Sequence, residues 1–169
     1  VICEVEHLME IRGTGSYLPG KIITNDDLSE VVDTNDEWIS SRTGICQRHI
    51  SEGETTSEMA ARAAVVALED AEVSPEEVEL IIVATMTGDG AMPGTACKVQ
   101  KEIGAVHAAC FDLSAACTGF VFALNTANAY LASGMYRNAL VIGADMVSKV
   151  IDWTDRATCV LFGDGAGAV

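Results

Sequence analysis

Cys117 is the residue of this sequence that is best placed to do chemistry. It follows an apolar stretch, 108–113, that is typical of a strand, and it precedes a helical pattern that reaches Ser133. A cysteine at a helix N-terminus lies near unpaired backbone N–H groups and the positive end of the helix dipole, which favour the thiolate. The thiolate is the nucleophile that acyl transfer requires. The alternative is a small buried hydrophobic residue, which is what most free cysteines are, and Cys117 taken alone favours that alternative.

Composition restricts the classes of function that this chain can have. Its 169 residues are 49% hydrophobic and carry 10 Lys and Arg against 25 Asp and Glu, a net charge of −15. A charge of this sign repels nucleic acids and anionic membranes, so neither is expected as a partner. The six cysteines show no C-x-x-C spacing, which predicts reduced thiols and no zinc site. No membrane span or signal-peptide pattern is present, so the sequence predicts a cytoplasmic protein.

The elements that position Cys117 alternate between strand and helix patterns. Runs that are apolar on both faces, at 80–84 and 139–144, predict buried strands, and the capping box 55–58 begins a helix that reaches about Ala71. This alternation predicts an α/β fold with a mostly parallel mixed sheet and helices on both faces. The other predicted elements are strands at 8–18 and 45–50, helices at 25–32, from Thr34 or Asn35 to Ser41, and at 93–103, one helical turn at Pro75, and a strand pair within 160–169 broken at 163–165. Gly13 and Gly15 are expected to let another backbone approach closely.

Five motifs, spread from residue 13 to residue 168, occur together in one order. In this they resemble the beta-ketoacyl-acyl-carrier-protein synthase III family, the initiating condensing enzymes of bacterial fatty-acid synthesis, over the N-terminal half of such a protein. The motifs are Gly-Thr-Gly-Ser-Tyr-Leu-Pro at 13–19, Asp-Glu-Trp-Ile at 36–39, Arg-Thr-Gly-Ile at 42–45, Phe-Asp at 111–112 with Ala-Ala-Cys-Thr-Gly-Phe at 115–120, and Phe-Gly-Asp-Gly-Ala-Gly-Ala at 162–168.

The resemblance implies a thiolase-like fold, in which two similar halves pack as five layers, α-β-α-β-α. Residues 1–169 are then expected to form the N-terminal half, with 1–7 as an irregular extension and the C-terminal half absent. The last residues, 166–169, resemble the middle of a strand, which predicts a truncated chain.

The resemblance also implies the roles of individual residues. It makes Cys117 the nucleophile of a fatty-acid-synthesis acyltransferase, which takes an acyl group from acyl-CoA and condenses it with malonyl-acyl-carrier-protein. Trp38, Arg42 and Arg156 match positions that hold the nucleotide end of coenzyme A. Stacking on an aromatic ring and phosphate binding by arginine suit this task. Thr34 is a weaker candidate for the same groove, because a role as helix cap explains it equally well.

Three apolar residues match positions of an acyl pocket in the family. Met92 is expected to reach the pocket of the partner subunit in a homodimer, and Val147 and Phe162 to line the pocket, although core packing explains these two nearly as well. The substrate is a coenzyme A thioester, and no metal or other cofactor is implied. The carrier protein is expected to dock on a basic patch of the absent half.

The catalytic helpers of the family are a histidine and an asparagine of the second half. His7, His49 and His107 lie in none of the Asn-His-x-Ala-Asn contexts that the family requires, so this stretch alone is expected to be inactive. Two alternatives stay open. One is a related condensing enzyme that makes a secondary metabolite or hydroxymethylglutaryl-CoA. The other is a thiolase-fold half that binds or scaffolds a partner without catalysis.

Overall fold

A five-stranded sheet with helices on both faces forms the centre of the computed structural model, which describes residues 9–169. The extension predicted for residues 1–7 and the Leu8 start of the first predicted strand lie outside these described residues. The strands are β1 (Gly15–Tyr17), β2 (Lys21–Thr24), β3 (Gln47–Ile50), β4 (Leu80–Ala84), β5 (Ala109–Leu113), β6 (Leu140–Met146) and β7 (Asp164–Ala168). The α-helices are α1 (Asn25–Ser29), α2 (Asp36–Thr43), α3 (Thr56–Ala71), α4 (Thr95–Ile103), α5 (Gly119–Ala132) and α6 (Arg156–Cys159).

The strand order in the sheet is β1-β7-β6-β4-β5. Strands β2 and β3 form a separate two-stranded antiparallel sheet. Strand β4 is parallel to β5 and to β6, whereas β7 is antiparallel to β6 and to β1. The sheet is therefore mixed, with two parallel and two antiparallel pairs, and the predicted α/β fold with a mixed sheet is confirmed. The prediction of β4 and β6 as buried strands is confirmed, and the structure shows that they are parallel neighbours.

Helices α3 and α4 cover one face of the sheet. Their apolar side chains, including Met59 and Val99, pack against strand residues such as Ile81 and Ile142, and all four are inaccessible to solvent. The predicted capping box is present at the start of α3. A Cβ on Gly15 would lie only 2.2 Å from a carbonyl oxygen of α3. The close backbone approach predicted at this glycine is thus confirmed, and it lets β1 lie directly on the helix.

Helix α5 covers the other face, but only in part. Its small residues Gly119, Ala123 and Ala127 are buried against β4 and β6. Its outer side is also apolar, and Val121 and Phe122 remain 58% and 53% exposed.

The chain end differs most from its prediction. Residues 160–169 do not hold two strands: after α6 ends at Cys159, residues 160–163 form a turn and a loop, and β7 alone follows. The side chain of Asp155 accepts a hydrogen bond from the backbone N–H of Ala157 and so caps α6. In the loop, a Cβ on Gly163 would lie 3.0 Å from the His49 carbonyl oxygen, because the segment passes close to β3.

Several other boundaries move by a few residues. Helix α1 begins at Asn25 but is capped by Thr24, α2 is capped by Asn35, and α4 begins at Thr95 rather than at Pro93. Strand β1 is shorter than the predicted first strand. The predicted strand at 45–50 corresponds to β3, which pairs antiparallel with β2.

Candidate active site

Cys117 lies on a sharp corner between β5 and α5. A single 3₁₀ turn, Ala116–Thr118, leads directly into the helix, and the Cys117 side chain is exposed. Ala116 has a φ of 47°, in the left-handed region that residues with a Cβ rarely adopt. Backbone strain of this kind is concentrated at functional sites, where the surrounding structure holds it in place. The sequence predicted the strand–helix corner but not its left-handed residue.

The backbone amide of Cys117 is available to a ligand. Within residues 9–169 it donates no hydrogen bond to another backbone or side-chain group. The neighbouring Thr118 hydroxyl donates to the Ala115 carbonyl at 2.8 Å, so it turns away from the N-terminus of α5. This N-terminus has no side-chain cap from the described part of the chain. An exposed thiol next to a free backbone N–H is a geometry that can bind and attack a carbonyl group.

A network of hydrogen bonds to the half-buried Asp145 fixes the loop beside Cys117. One carboxylate oxygen of Asp145 accepts hydrogen bonds from the backbone N–H groups of Met86 and Thr87 at 2.8 Å and 3.0 Å. It also accepts from the hydroxyls of Thr85 and Thr87. The Met86 sulfur in turn lies 3.1 Å from the hydroxyl oxygen of Ser114, at the base of the Cys117 corner. Sequence reasoning missed Asp145, because nothing in its local pattern shows that it faces the loop after β4.

Trp38 and two arginines form a second cluster. The guanidinium carbon of Arg42 lies 4.7 Å from the Trp38 ring centroid, and that of Arg156 lies 4.6 Å from it. Arg156 also donates to the Asp33 carbonyl oxygen at 3.0 Å, and Arg42 donates to that of Trp38 at 3.1 Å. Both arginines are exposed and Trp38 is half-buried. The structure therefore brings Arg156, from a distant part of the sequence, to Trp38 and Arg42 on α2, and these three residues were predicted to share one ligand.

Thr34 lies beside this cluster but does not cap α2. The side chain of Asn35 is the cap, because it accepts the backbone N–H of Trp38 at 2.8 Å. The Thr34 hydroxyl oxygen is buried and has no hydrogen-bond partner among the described residues. Helix capping therefore does not explain Thr34, and within residues 9–169 its hydroxyl oxygen remains without a hydrogen-bond partner.

Two of the acyl-pocket candidates, Val147 and Phe162, lie at the same end of the sheet as Cys117. Val147 follows β6 and Phe162 precedes β7, and Met146 pairs with Asp164 across these strands, so both candidates lie at the end of the sheet where β5 runs into the Cys117 corner. Ligands of open α/β sheets bind at this carboxyl end of the parallel strands. Val147 is half-buried, Phe162 is 41% exposed, and Met92 is 91% exposed on the loop before α4. A cavity of about 360 Å³ lies at the opposite end, near Ala139 and Leu140, and contains none of them.

The described histidines lie away from Cys117. His107 precedes β5, whereas Cys117 follows it, and the Nδ1 atom of His49 lies 2.6 Å from the Pro19 carbonyl oxygen in another part of the fold. His7 lies outside the described residues. Within residues 9–169, no group of three or more His, Cys, Asp or Glu side chains is arranged to hold a metal ion. This site has a candidate nucleophile and a free backbone donor, and its described part supplies no imidazole to serve as a base.

Comparison with known proteins gives this arrangement a context. The family model described as "3-Oxoacyl-[acyl-carrier-protein (ACP)] synthase III" matches residues 111–169. The chain is 62% identical over 161 residues to the beta-ketoacyl-[acyl-carrier-protein] synthase III of Clostridium acetobutylicum, which covers 95% of this chain and 50% of that protein. The crystal structure of the synthase III of Aquifex aeolicus superposes with a TM-score of 0.93 at 54% identity, over 94% of this chain and 52% of the other.

The chain is a homologue of the beta-ketoacyl-[acyl-carrier-protein] synthases III. It spans about half the length of the curated synthases that it matches. It is also similar to the priming beta-ketosynthase of the R1128 polyketide pathway, with a TM-score of 0.91 at 43% identity over 94% of this chain and 48% of that one. The fold is thus thiolase-like, as predicted. None of the helices described in residues 9–169 is long and apolar enough to cross a membrane.

Two acidic residues of the motifs shared with the synthases have structural roles. Asp164 accepts hydrogen bonds from the backbone N–H groups of Ser51 and Ser148 at 2.8 Å and 2.9 Å, and from the Ser148 hydroxyl. Asp164 therefore connects β7 to the residue directly after β3 and to the segment after β6. Asp112 accepts from the backbone N–H groups of Thr95 and Ala96 at 2.7 Å and 2.6 Å.

The buried Arg48 is linked through Asn25 to helix α2, which carries Trp38 and Arg42. The side chain of Arg48 donates to the carbonyl oxygen of Ile23 and to the side-chain oxygen of Asn25, and burial lowers the pKa of the guanidinium. Asn25 in turn donates to Asp36, at the start of α2. No local pattern indicated this network, because its members come from four separate elements, β2, α1, α2 and β3.

Proposed function

We propose that this chain is the N-terminal half of an acyltransferase that starts fatty-acid synthesis by condensing acyl-CoA with malonyl-acyl-carrier-protein. The observation that carries the proposal is the exposed Cys117 with its own backbone N–H free, on a turn whose preceding residue is left-handed. The similarity to synthases III over half of their length supports it.

The proposed reaction has two steps at Cys117. In the first, the thiol gives up its proton and the sulfur attacks the thioester carbonyl of acyl-CoA. The C–S bond to coenzyme A breaks, coenzyme A leaves as a thiol, and an acyl-cysteine remains. In the second, malonyl-carrier-protein loses carbon dioxide, and the resulting carbanion attacks the acyl-cysteine carbonyl. A C–C bond forms and the Cys117 thiolate is released.

Both steps pass through a tetrahedral oxyanion, and the free N–H of Cys117 supplies one donor to it. One such donor typically contributes about 3 kcal/mol to the stability of the transition state. We propose that the histidine and asparagine of the family lie in the part of the protein outside this chain. This stretch alone is accordingly expected to be inactive in condensation.

Trp38, Arg42 and Arg156 are proposed to bind the nucleotide of coenzyme A. Arg156 is exposed and already stacks on Trp38, so an adenine can take a place on the ring once Arg156 moves outward and stacks on the other side of the base. Arg42 then answers phosphate oxygens. The unpartnered Thr34 hydroxyl is available to the same ligand.

Met92, Val147 and Phe162 are proposed as the acyl pocket. Two features support this assignment. Val147 and Phe162 lie at the Cys117 end of the sheet, and Met92 is highly exposed rather than packed against the rest of the chain. We further propose a homodimer that pairs β5 with its counterpart, because β5 lies at the edge of the sheet with β4 as its neighbour.

The remaining parts of the proposal concern partners and location. With a net charge of −15, this chain is a poor docking surface for an acidic carrier protein, so we place that docking site on the other half. The proposed chemistry needs no metal or prosthetic group, and its substrates place it in the cytoplasm.

The acyl-cysteine is the part of the proposal to test first. After incubation with acetyl-CoA, peptide mass spectrometry should find one acetyl group on Cys117. Replacing Cys117 with Ser should remove this label, whereas Cys46→Ser, a matched change of another exposed thiol, should keep it. An acetyl group that persists on Cys117→Ser protein at another cysteine would overturn the assignment.

A second candidate function keeps the same chemistry and changes the product. The likeness to the R1128 priming ketosynthase favours a polyketide or another secondary metabolite. The higher identity to the fatty-acid synthases ranks it second. Comparing acetyl-CoA with longer and branched primers in the acylation assay would separate the two candidates.

A further inference from the structure

Two cysteines outside the candidate active site lie in contact. Cys97 is on the first turn of α4 and Cys110 is the second residue of β5, and their sulfur atoms are 3.4 Å apart. Cys97 is exposed and Cys110 is half-buried. A disulfide bond needs the sulfurs about 2.05 Å apart, so an approach of roughly 1.4 Å would join them.

Contacts on both sides hold the two thiols in this position. The Asp112 carboxylate, two residues after Cys110, binds the first turn of α4, which contains Cys97. On the other side, the side-chain oxygen of Gln100 in α4 lies 3.2 Å from the Cys110 sulfur, and the Gln100 amide donates to the Ala108 carbonyl at 2.6 Å. Helix α4 and strand β5 are therefore linked independently of the thiols, and the sulfur contact follows from that frame.

We propose that Cys97 and Cys110 form a reversible intramolecular disulfide, a thiol-oxidation site that reacts with low-molecular-weight disulfides such as oxidised glutathione. The site is separate from Cys117 and does not depend on the proposed function. Its oxidised form would fix α4 covalently to the strand that leads into the Cys117 corner.

The exposed thiol reacts first. The Cys97 sulfur attacks one sulfur of oxidised glutathione, a protein–glutathione disulfide forms, and the first glutathione leaves as a thiol with the Cys97 proton. The Cys110 sulfur then attacks the Cys97 sulfur, and the second glutathione leaves with the Cys110 proton. Two protein thiols are oxidised and one glutathione disulfide is reduced to two thiols, so electrons and protons balance.

The environment of Cys110 agrees with this order. Burial raises the pKa of Cys110 to about 11, and the hydrogen bond with Cys97 and the charge of Asp112 act in the same direction. The Cys110 thiol is therefore protonated at neutral pH and reacts slowly with a reagent in solution. Its contact with Cys97 makes the second, intramolecular step favourable.

Disulfide mapping tests the proposal directly. The protein is incubated with oxidised glutathione, remaining thiols are blocked with N-ethylmaleimide, and the protein is digested without reductant. Trypsin cuts after Lys98 and Lys101, and a protease that cuts before aspartate separates Cys110 from Cys117 at Asp112. The expected product is a peptide pair joined through Cys97 and Cys110, which dithiothreitol releases, and the oxidised protein should melt about 5–10 °C higher.

Three variants and a denatured control make the outcome decisive. Cys97→Ser and Cys110→Ala should each abolish the linked pair, and Cys110→Ala should accumulate glutathione on Cys97, whereas Cys46→Ser should leave the linkage intact. Because Cys97 is exposed, Cys97→Ser keeps the test valid if Cys110→Ala does not fold. A glutathione adduct that stays on Cys97 in the unmodified sequence would overturn the proposal. So would a cross-link between two chains, or a yield no higher than that of the urea-unfolded protein.

Discussion

The N-termini of α4 and α5 differ in a way that separates structure from chemistry. Both helices begin near the same strand, β5. The N-terminus of α4 is closed, because the Asp112 carboxylate accepts two of its backbone N–H groups. The N-terminus of α5 has no such cap within the described residues, and Cys117 lies in the turn that leads into it. A helix N-terminus attracts a negative charge whatever its source.

At α4 a carboxylate of the chain itself occupies the helix N-terminus and holds the helix in place. At α5 the N-terminus has no such carboxylate among the described residues, so a ligand can bind there. Helix α3 follows the first pattern too, since Asp89 from the loop after β4 accepts the backbone N–H groups of Thr56 and Ser57 at 2.8 Å and 3.3 Å. Among these three helices, the open one carries the candidate nucleophile. Three predictions test whether closed and open ends have these separate roles.

The largest effect is expected from closing the open end. Thr118→Asp places a carboxylate next to Cys117, where it competes for the free N–H groups and repels a developing oxyanion. Acylation of Cys117 by acetyl-CoA should slow by about 100-fold, measured by mass spectrometry over time. Thr118→Asn is the matched control because it has the same shape without the charge. Equal rates in the two variants would mean that the open end has no role in acylation.

A smaller effect, on stability alone, is expected from opening the closed end of α4. Asp112→Ala removes the cap from two N–H groups and should lower the free energy of unfolding by about 2 kcal/mol, measured by urea denaturation. Asp112→Asn keeps an acceptor without the charge and should cost about 1 kcal/mol. Thr118→Asn should change the free energy of unfolding little. If Asp112→Ala were neutral, the carboxylate would not be holding α4.

The smallest effect concerns the pH dependence of the α3 cap. Burial alone would raise the pKa of Asp89, but hydrogen bonds from Ser57 and the ion pair with Lys98 outweigh it and hold the pKa below its ordinary value of 3.8. A carboxylate whose pKa is lowered by folding stabilises the fold above pH 3.8 and loses that contribution as the pH falls further.

Asp89→Asn should therefore flatten the dependence of unfolding free energy on pH below about 4, by less than about 1 kcal/mol in total. Urea denaturation at a series of pH values measures this slope. Asp26→Asn, in the exposed first turn of α1, serves as the control. A slope as steep in Asp89→Asn as in the unmodified protein would rule out this cap as a source of acid sensitivity.

The two faces of the sheet show how far sequence patterns could be followed. The buried strands β4 and β6 and the capping box of α3 were predicted correctly, because burial on both faces and local capping are written in consecutive residues. Helix α5 was also predicted, but its pattern is apolar all round, so periodicity could not say which side faces the sheet. Its exposed Val121 and Phe122 agree with the further layer that a five-layer thiolase-like fold requires.

Site prediction had the same limit. The sequence placed Cys117 at a strand–helix corner and grouped Trp38, Arg42 and Arg156, and the structure brings those three side chains together. It could not show the left-handed Ala116, because an alanine gives no sequence signal for a positive φ. The last segment was predicted wrongly as two strands, since residues 160–163 form a turn and a loop although Val160 and Phe162 are residue types that favour strands.

The sequence by itself determined the elements, the nucleophile candidate and the resemblance to a synthase, because these depend on neighbouring residues and on motifs along the chain. Only the tertiary structure decided which helix ends are closed, which polar atoms such as the Thr34 hydroxyl lack a partner, and which two of the cysteines in residues 9–169 touch. Asp112, Asp89 and Asp145 each bind backbone groups at least 16 residues away. Such pairings depend on how the elements pack in three dimensions, and no local pattern of residue types specifies them.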